Sequence, residues 1–398
     1  MAGVYKAVKV TDNVYWVGAI DWNLRDFHGY TTKRGSTYNA YLILADKITL
    51  VDTVKAPFKD EMMQRIASVI DPADITYIVS NHSEMDHTGC LAETMEAVKP
   101  EKVFASIMGA KILQEHFSFS QEITPLKDGE TLSLGNRTLS FMETRMLHWP
   151  DSMFSYLAEE ELLFSQDAFG MHLATAERFD DEIDPAILYF EAAYYYANIL
   201  LPYSALITKL LEKVAASGLT FKFIAPDHGP IWRTDRETII KSYAGWAAQK
   251  PTNKAVVAYG TMWHSTEKMA GAICEGLKEG GAHAILMNMD AFHRSDIIYE
   301  LLEAGALIVG SPTLNNNMLP IVADVMTYLK GLKPQNLIGA AFGSYGWSGE
   351  AARQVQEILK DMKVELVEEP IRAKNVPNED VLAQCHALGK TIAEKLKA

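Results

Sequence analysis

The chain has 398 residues, 48% hydrophobic and 22% charged, so it reads as an ordinary globular protein too long for one core, with two or three domains. Its 37 Lys and Arg against 51 Asp and Glu leave a net charge of −14, which argues against nucleic acid or an anionic membrane as partner, since either needs a basic face. The three cysteines, Cys90, Cys274 and Cys385, form no Cys-x-x-Cys, which excludes an intrachain disulfide framework, zinc ribbon, rubredoxin module or four-cysteine cluster; any metal must be held by His and carboxylates.

In chain order, Val14 to Gly18 reads as a strand, and Tyr38 to Leu44 with Ile48 to Asp52 as a pair joined around Ala45-Asp46-Lys47. A helix near Lys59 to Ile70 follows, then the apolar run Ile75 to Ser80, and a helix near Leu91 to Ala97. Val103 to Ala105 and Leu139 to Met142 are further strands, and Phe154 to Ala158 and Leu162 to Ser165 flank the acidic turn Glu159-Glu160-Glu161. Strands mixed with helices predict two sheets covered by helices, an α+β layered domain. After a stretch of about twenty residues near Thr234 to Asn253 the pattern changes to strict alternation: strands at Ala255, Ala284, Ala306, Asn336 and Val364, helices at Thr266, Ser295, Met318, Ser348 and Asn378. Five such units predict a doubly wound parallel sheet, with the domain border near residue 250. No stretch reaches transmembrane length and the first residues lack a signal-peptide layout, so the cytoplasm is the expected location.

The most informative segment is Asn81-His82-Ser83-Glu84-Met85-Asp86-His87, two imidazoles and two carboxylates directly after an apolar strand. A solvated turn would also carry such residues. Two His with two carboxylates suit iron or manganese better than a structural zinc site. Three further strand ends carry ligands: His148 in Met146 to Ser152, Asp167 after Phe164-Ser165-Gln166, and His228 in Pro226-Asp227-His228-Gly229. The glycine after His228 allows a tight turn that brings the imidazole inward.

The order His-x-Glu-x-Asp-His, lone His, lone Asp and final Asp-His-Gly resembles the metallo-β-lactamase superfamily, whose first loop is usually His-x-His-x-Asp-His in zinc hydrolases. Glu84 in place of the second His is similar to the flavodiiron proteins. That resemblance implies a metallo-β-lactamase-like αββα sandwich over 1–250. It implies one iron on His82, Glu84 and His148, the other on Asp86, His87 and His228, and Asp167 as the bridge.

The second half offers three loops at strand ends. Thr261-Met262-Trp263-His264-Ser265-Thr266 is rich in hydroxyls and opens a helix, whose N–H groups favour a phosphate. No Gly-x-Gly-x-x-Gly is present, which fits flavin mononucleotide better than a dinucleotide. Ser311-Pro312-Thr313-Leu314-Asn315 and Ser344-Tyr345-Gly346-Trp347-Ser348-Gly349 supply small residues for close backbone approach and aromatic rings to stack on or cover a flat ring. These loops resemble the flavodoxin-like domain of the same family, placing FMN in residues 251–398. His28 and Tyr195 are the candidates for hydrogen-bonding a bound substrate, as a His and a Tyr do in that family; the other five histidines match no motif.

The resemblance implies an oxidoreductase that passes electrons from a protein donor, rubredoxin by analogy, through FMN to a diiron site reducing nitric oxide to nitrous oxide, dioxygen to water, or both. It also implies a head-to-tail homodimer or dimer of dimers. The competing readings are a binuclear zinc hydrolase with an appended flavodoxin-like domain, and an electron carrier with a structural metal.

Overall fold

The computed structural model describes residues 4–119 and 121–397. It divides into two compact units: one runs to Tyr195 and includes Ala205–Ala244, the other comprises Tyr196–Ser204 and everything from Gly245.

The first unit holds a seven-stranded and a five-stranded sheet. In the larger, Val14–Trp16, Tyr41–Ile43 and Thr49–Val51 run antiparallel, and Thr49–Val51, Tyr77–Ser80, Lys102–Ser106 and Ile123–Leu126 run parallel. Alternation decides which side chain goes where. Tyr41, Val51, Val79 and Phe104 enter the core between the sheets, where they meet Phe141, Met153, Leu162 and Phe164 of the smaller sheet. Their neighbours Leu42, Leu50, Ile78 and Val103 point the other way, against Met62 and Ile66 of the helix Lys59–Ala67 and Leu91, Met95 and Val98 of the helix Leu91–Val98. Burying both faces explains why these strands are almost continuously apolar.

In the smaller sheet, Thr131–Ser133, Thr138–Glu143, Met153–Leu157 and Leu162–Gln166 are antiparallel, and Phe223–Pro226 joins parallel to Leu162–Gln166. Two neighbouring parallel strands therefore discharge Asp167 and His228 at one edge. The spacer read near Thr234 to Asn253 contains the helix Arg236–Ala248.

The second unit is a parallel sheet in the order His283–Asn288, Lys254–Tyr259, Ala306–Gly310, Ile338–Tyr345, then a final position shared by Glu365–Leu366 and Ile371–Lys374. The strand expected at Val364 is thus split. Pro370 has no N–H to give the ladder, and the acidic pair Glu368-Glu369 loops out before pairing resumes at Ile371. One face is covered by the helices Ser265–Glu279 and Glu379–Lys395, through Met269, Ile273, Leu277, Leu388 and Ile392. These helices touch through glycines: a Cβ at Gly276 would lie 2.0 Å from the His386 carbonyl oxygen, and one at Gly389 2.2 Å from that of Ile273. Among the described residues no helix is long and apolar enough to cross a membrane.

Candidate metal centre and flavin cradle

Residues from four separate loops converge at one end of the first unit. Glu84 directly precedes the short helix Met85–Thr88, which carries Asp86 and His87. His82 and Glu84 meet His148 and Asp167: His82 Nε2 lies 3.3 Å from Glu84 Oε2 and 3.2 Å from Asp167 Oδ2, and His148 Nε2 lies 3.1 and 3.2 Å from the same two oxygens. The other oxygen of Asp167 faces a second group. Asp167 Oδ1 lies 3.3 Å from His87 Nε2 and 3.4 Å from His228 Nε2, while Asp86 lies 3.5 and 3.2 Å from these nitrogens. The ligand atoms within each group approach one another within 4.8 Å. One carboxylate thus touches both groups of ligands.

All seven residues are buried except His148, which is partly exposed. Burial opposes the ionised form of Asp167, yet the neighbouring imidazoles, His82 foremost, hold its carboxyl well below the usual range. Glu84 is likewise held low against its burial, by His148, His28 and His82. Against the same burial, Asp86 and Asp227 push His87 up to about 10, and Asp167 and Glu84 push His148 up to about 9. Seven polar side chains thus compensate one another, but incompletely. Both oxygens of Asp86 and of Asp167 and both ring nitrogens of His87 are buried without a hydrogen bond. Orphaned donors and acceptors this deep are costly unless something engages them. A pair of cations bound by imidazole and carboxylate would engage the oxygens of Asp86 and Asp167 and Nε2 of His87, so the residues fit a two-metal site.

Outer partners orient the rings. His228 Nδ1 lies 2.6 Å from the Thr37 carbonyl oxygen. His82 Nδ1 lies 3.4 Å from Asp151 Oδ2, which also accepts from the Ser83 N–H and hydroxyl at 2.6 and 2.7 Å. Such contacts fix the ring nitrogen that faces a metal. Asp227, by contrast, approaches His87 Nδ1 only to 3.7 Å. Gly229 has φ of +78°, and a Cβ there would strike Met171, so the turn after His228 needs glycine.

His28 Nε2 lies 2.7 Å from Glu84 Oε1, at a cavity of about 420 Å³ lined by Phe27, His28, Lys55, Glu84, Met85 and Asp86. Tyr195 is buried on the helix Pro185–Tyr195, its ring 6.1 Å from that of His228. Burial, reinforced by Asp167, pushes its phenol well above the ordinary range, so it remains protonated. His172, which fits no spacing, is buried beside them. Its ring lies edge-on to those of His228 and Tyr195, with centroids 4.6 and 5.1 Å away, its Nδ1 is 2.7 Å from Ser36 Oγ, and its Nε2 has no partner. Burial and His228 hold it well below the ordinary imidazole range, hence neutral. Sequence reading passed over it because a lone His after Met171 carries no periodic signal.

In the second unit the three expected loops follow neighbouring parallel strands. Thr266 and Ser344 hydroxyls bond at 3.0 Å, joining the first loop to the third. Thr261 Oγ1 is buried without a partner, and the helix Ser265–Glu279 starts with no side-chain cap, His264 pairing instead with Glu267 at 2.5 Å. Free N–H groups at a helix start beside an orphaned hydroxyl fit a phosphate. Pro312 and Ser311 are buried, and the Ser311 hydroxyl is occupied, accepting from the Leu319 N–H and donating to the Pro312 carbonyl. Thr313–Leu314 and Asn317–Met318 form a hairpin through Asn315 and Asn316, both at positive φ. Met262, Trp263 and Trp347 are exposed, and Gly346 and Ser348 flank Trp347 in the third loop. Tyr345 packs so closely on Gly349 that a Cβ there would meet its ring at 2.9 Å.

Comparison with known proteins is consistent across both units. The family described as "ODP family beta lactamase" matches residues 37–229, and the flavodoxin family matches 257–389. The chain is 48% identical over 393 residues to a nitric oxide reductase of Moorella thermoacetica, covering 98% of each. It is 49% identical over 397 residues to a rubredoxin-oxygen oxidoreductase of Megalodesulfovibrio gigas, covering 99% of each. The crystal structure of the flavodiiron protein from Giardia intestinalis superposes with a TM-score of 0.95 at 33% identity, covering 100% of this chain and 98% of that one.

Proposed function

Because the chain belongs to the flavodiiron proteins, a family of oxidoreductases, we propose that residues 1–250 hold two irons, residues 251–398 hold FMN, and the protein reduces nitric oxide, dioxygen or both. The observation that carries this reading is the one carboxylate, Asp167, facing two imidazole–carboxylate groups, with Glu84 where a zinc hydrolase would have His. His82, Glu84 and His148 are assigned to one iron, Asp86, His87 and His228 to the other, and Asp167 to both. Two ferrous ions held there would supply the electrons for reduction, and a flavin in the second unit would supply their replacement from a protein donor.

The chain's own residues supply the rest. Reducing nitric oxide to nitrous oxide consumes two protons and reducing dioxygen to water consumes four. His28 stands at the cavity with a raised proton affinity, Glu84 outweighing its partial burial, so it is the proton donor we assign. Tyr195, held neutral by burial, offers a hydroxyl that orients a diatomic substrate without losing its proton. The extra carboxylate at Glu84 adds a hard oxygen donor and negative charge, which favour iron over a thiophilic metal.

We also assign rubredoxin as donor, the cytoplasm as location, and a head-to-tail homodimer or dimer of dimers as the assembly. Exposed Met262, Trp263, Phe292, Trp347 and Val376 on the flavin-side loops, and Met85 and Met146 beside the metal ligands, support burial of both surfaces by a second copy. Metal analysis and a visible spectrum of the purified protein, followed by nitric oxide and dioxygen consumption with reduced rubredoxin, test the proposal. Two irons and one flavin per chain with turnover are expected. Two zincs without flavin, or flavin and iron without turnover, defeat it.

A further inference from the structure

We infer that Gln166, which no motif singles out, is a positioning residue that sets the spacing of three ligand-bearing loops. The inference rests on the reading that these loops hold two irons.

Gln166 ends the strand Leu162–Gln166, is fully buried, and spends its side-chain amide nitrogen, side-chain oxygen and backbone carbonyl on loops that carry ligands. Its side-chain N–H₂ donates to the Leu147 carbonyl at 2.5 Å, the residue before His148. Its side-chain oxygen accepts the Asp167 N–H at 2.6 Å. Its backbone carbonyl accepts the Asp227 N–H at 2.8 Å, the residue before His228. One residue thus touches the neighbour of His148, Asp167 itself and the neighbour of His228. Those three belong to both groups of ligands.

The backbone supports the same conclusion. Gln166 has φ of +44°, the left-handed region that glycine adopts without strain and a long side chain does not. It sits at a shift of strand register between Phe164 and Gln166, which re-aims the chain into the Asp167 turn. If this position served only the turn, glycine would serve it better. A strained glutamine whose side-chain amide ties the Leu147 loop to its own Asp167 turn is explained by the spacing it enforces: Leu147 and Asp167 are held from opposite ends of one planar amide, whose length is fixed. Apolar packing gives no such control of distance. The role is therefore indirect, since Gln166 touches no ligand atom.

The test uses the full-length chain, stripped of metal and titrated anaerobically with ferrous iron against a chromophoric chelator, for the wild type, Gln166→Gly and Gln166→Glu. Gln166→Gly relieves the backbone and removes both side-chain bonds. Gln166→Glu keeps the acceptor for Asp167 but loses the donor to Leu147. Both variants are expected to bind iron about 10–100-fold more weakly, as loss of outer support does elsewhere. Thermal unfolding of the metal-free chain is expected to stay within roughly 4 °C of wild type for Gln166→Gly. Affinity within twofold of wild type in Gln166→Gly overturns the inference, whatever Gln166→Glu does. A drop of more than roughly 10 °C in the metal-free midpoint of both variants also overturns it, by showing a role in the fold instead. If the wild type itself takes up fewer than two irons, the metal-centre reading fails; if it takes up two and the variants match it, only the role of Gln166 fails.

Discussion

Glu191 lies on the helix that carries Tyr195, four residues earlier and so on the same side, buried with one oxygen 3.2 Å from Arg34 Nε. Burial raises its carboxyl from 4.5 to about 7, against the lowering effect of Arg34 and Lys33. The direction of the stability effect follows from proton counting. Between these values the folded chain keeps a proton that the unfolded chain has released, so folding is favoured below pH 4.5 and loses that advantage as pH rises through 7. At about 1.4 kcal/mol per unit, ionising Glu191 in the folded state costs on the order of 3 kcal/mol by pH 8. Glu191→Gln cannot ionise. Its thermal midpoint should therefore gain on wild type from pH 5 to pH 8, by roughly 6–10 °C at 2–4 °C per kcal/mol. Other titrating groups, the metal ligands included, cancel in the difference between two chains measured side by side. Parallel curves across that range would refute the reasoning and show that Arg34 keeps Glu191 ionised despite its burial.

Asp167→Ala should lose both metals, because its two oxygens serve different groups, whereas His148→Ala should keep about one; elemental analysis of purified variants distinguishes the two. In the metal-free chain His87 and His148 hold protons up to about pH 10 and 9, so ferrous uptake near neutral pH should release protons and strengthen as pH rises. Calorimetric titration in buffers of different ionisation enthalpy reads that release, and buffer-independent heats would contradict it. Thr261→Val replaces a buried hydroxyl that has no partner in the free protein, so the flavin-free chain should be no less stable while FMN binds about 10-fold more weakly, as followed by flavin fluorescence.

Much of the fold was legible because both domains follow simple periodicities. The run Ile75 to Ser80 is apolar on both faces since Ile78 meets helices and Val79 meets the other sheet, and that continuity marks a buried parallel strand. The ligand loops stood out because His, Asp and Glu directly after such strands are chemically conspicuous. What stayed hidden acts through contact alone. Gln166 and His172 carry no spacing signal, and their partners, Leu147 and Ser36, are remote in sequence. The strand Ile371–Lys374 was missed because Glu368-Glu369-Pro370 reads as the end of an element, although pairing resumes beyond it. The helices Ile107–His116 and Ser204–Ser217 were also not assigned, although Ile207, Leu210, Leu211 and Val214 of the second recur at helical spacing.

The ligand loops lie on strands that are widely separated in sequence, and His228 leaves a strand that joins its sheet last, beside Leu162–Gln166. On a ribosome adding about 5–20 residues per second, His228 is made on the order of ten seconds after His87. During that interval the nascent chain carries only part of the candidate ligand set. The candidate ligand set is therefore completed only with the last strand of its unit, and the group that contains His228 exists only once that unit is whole.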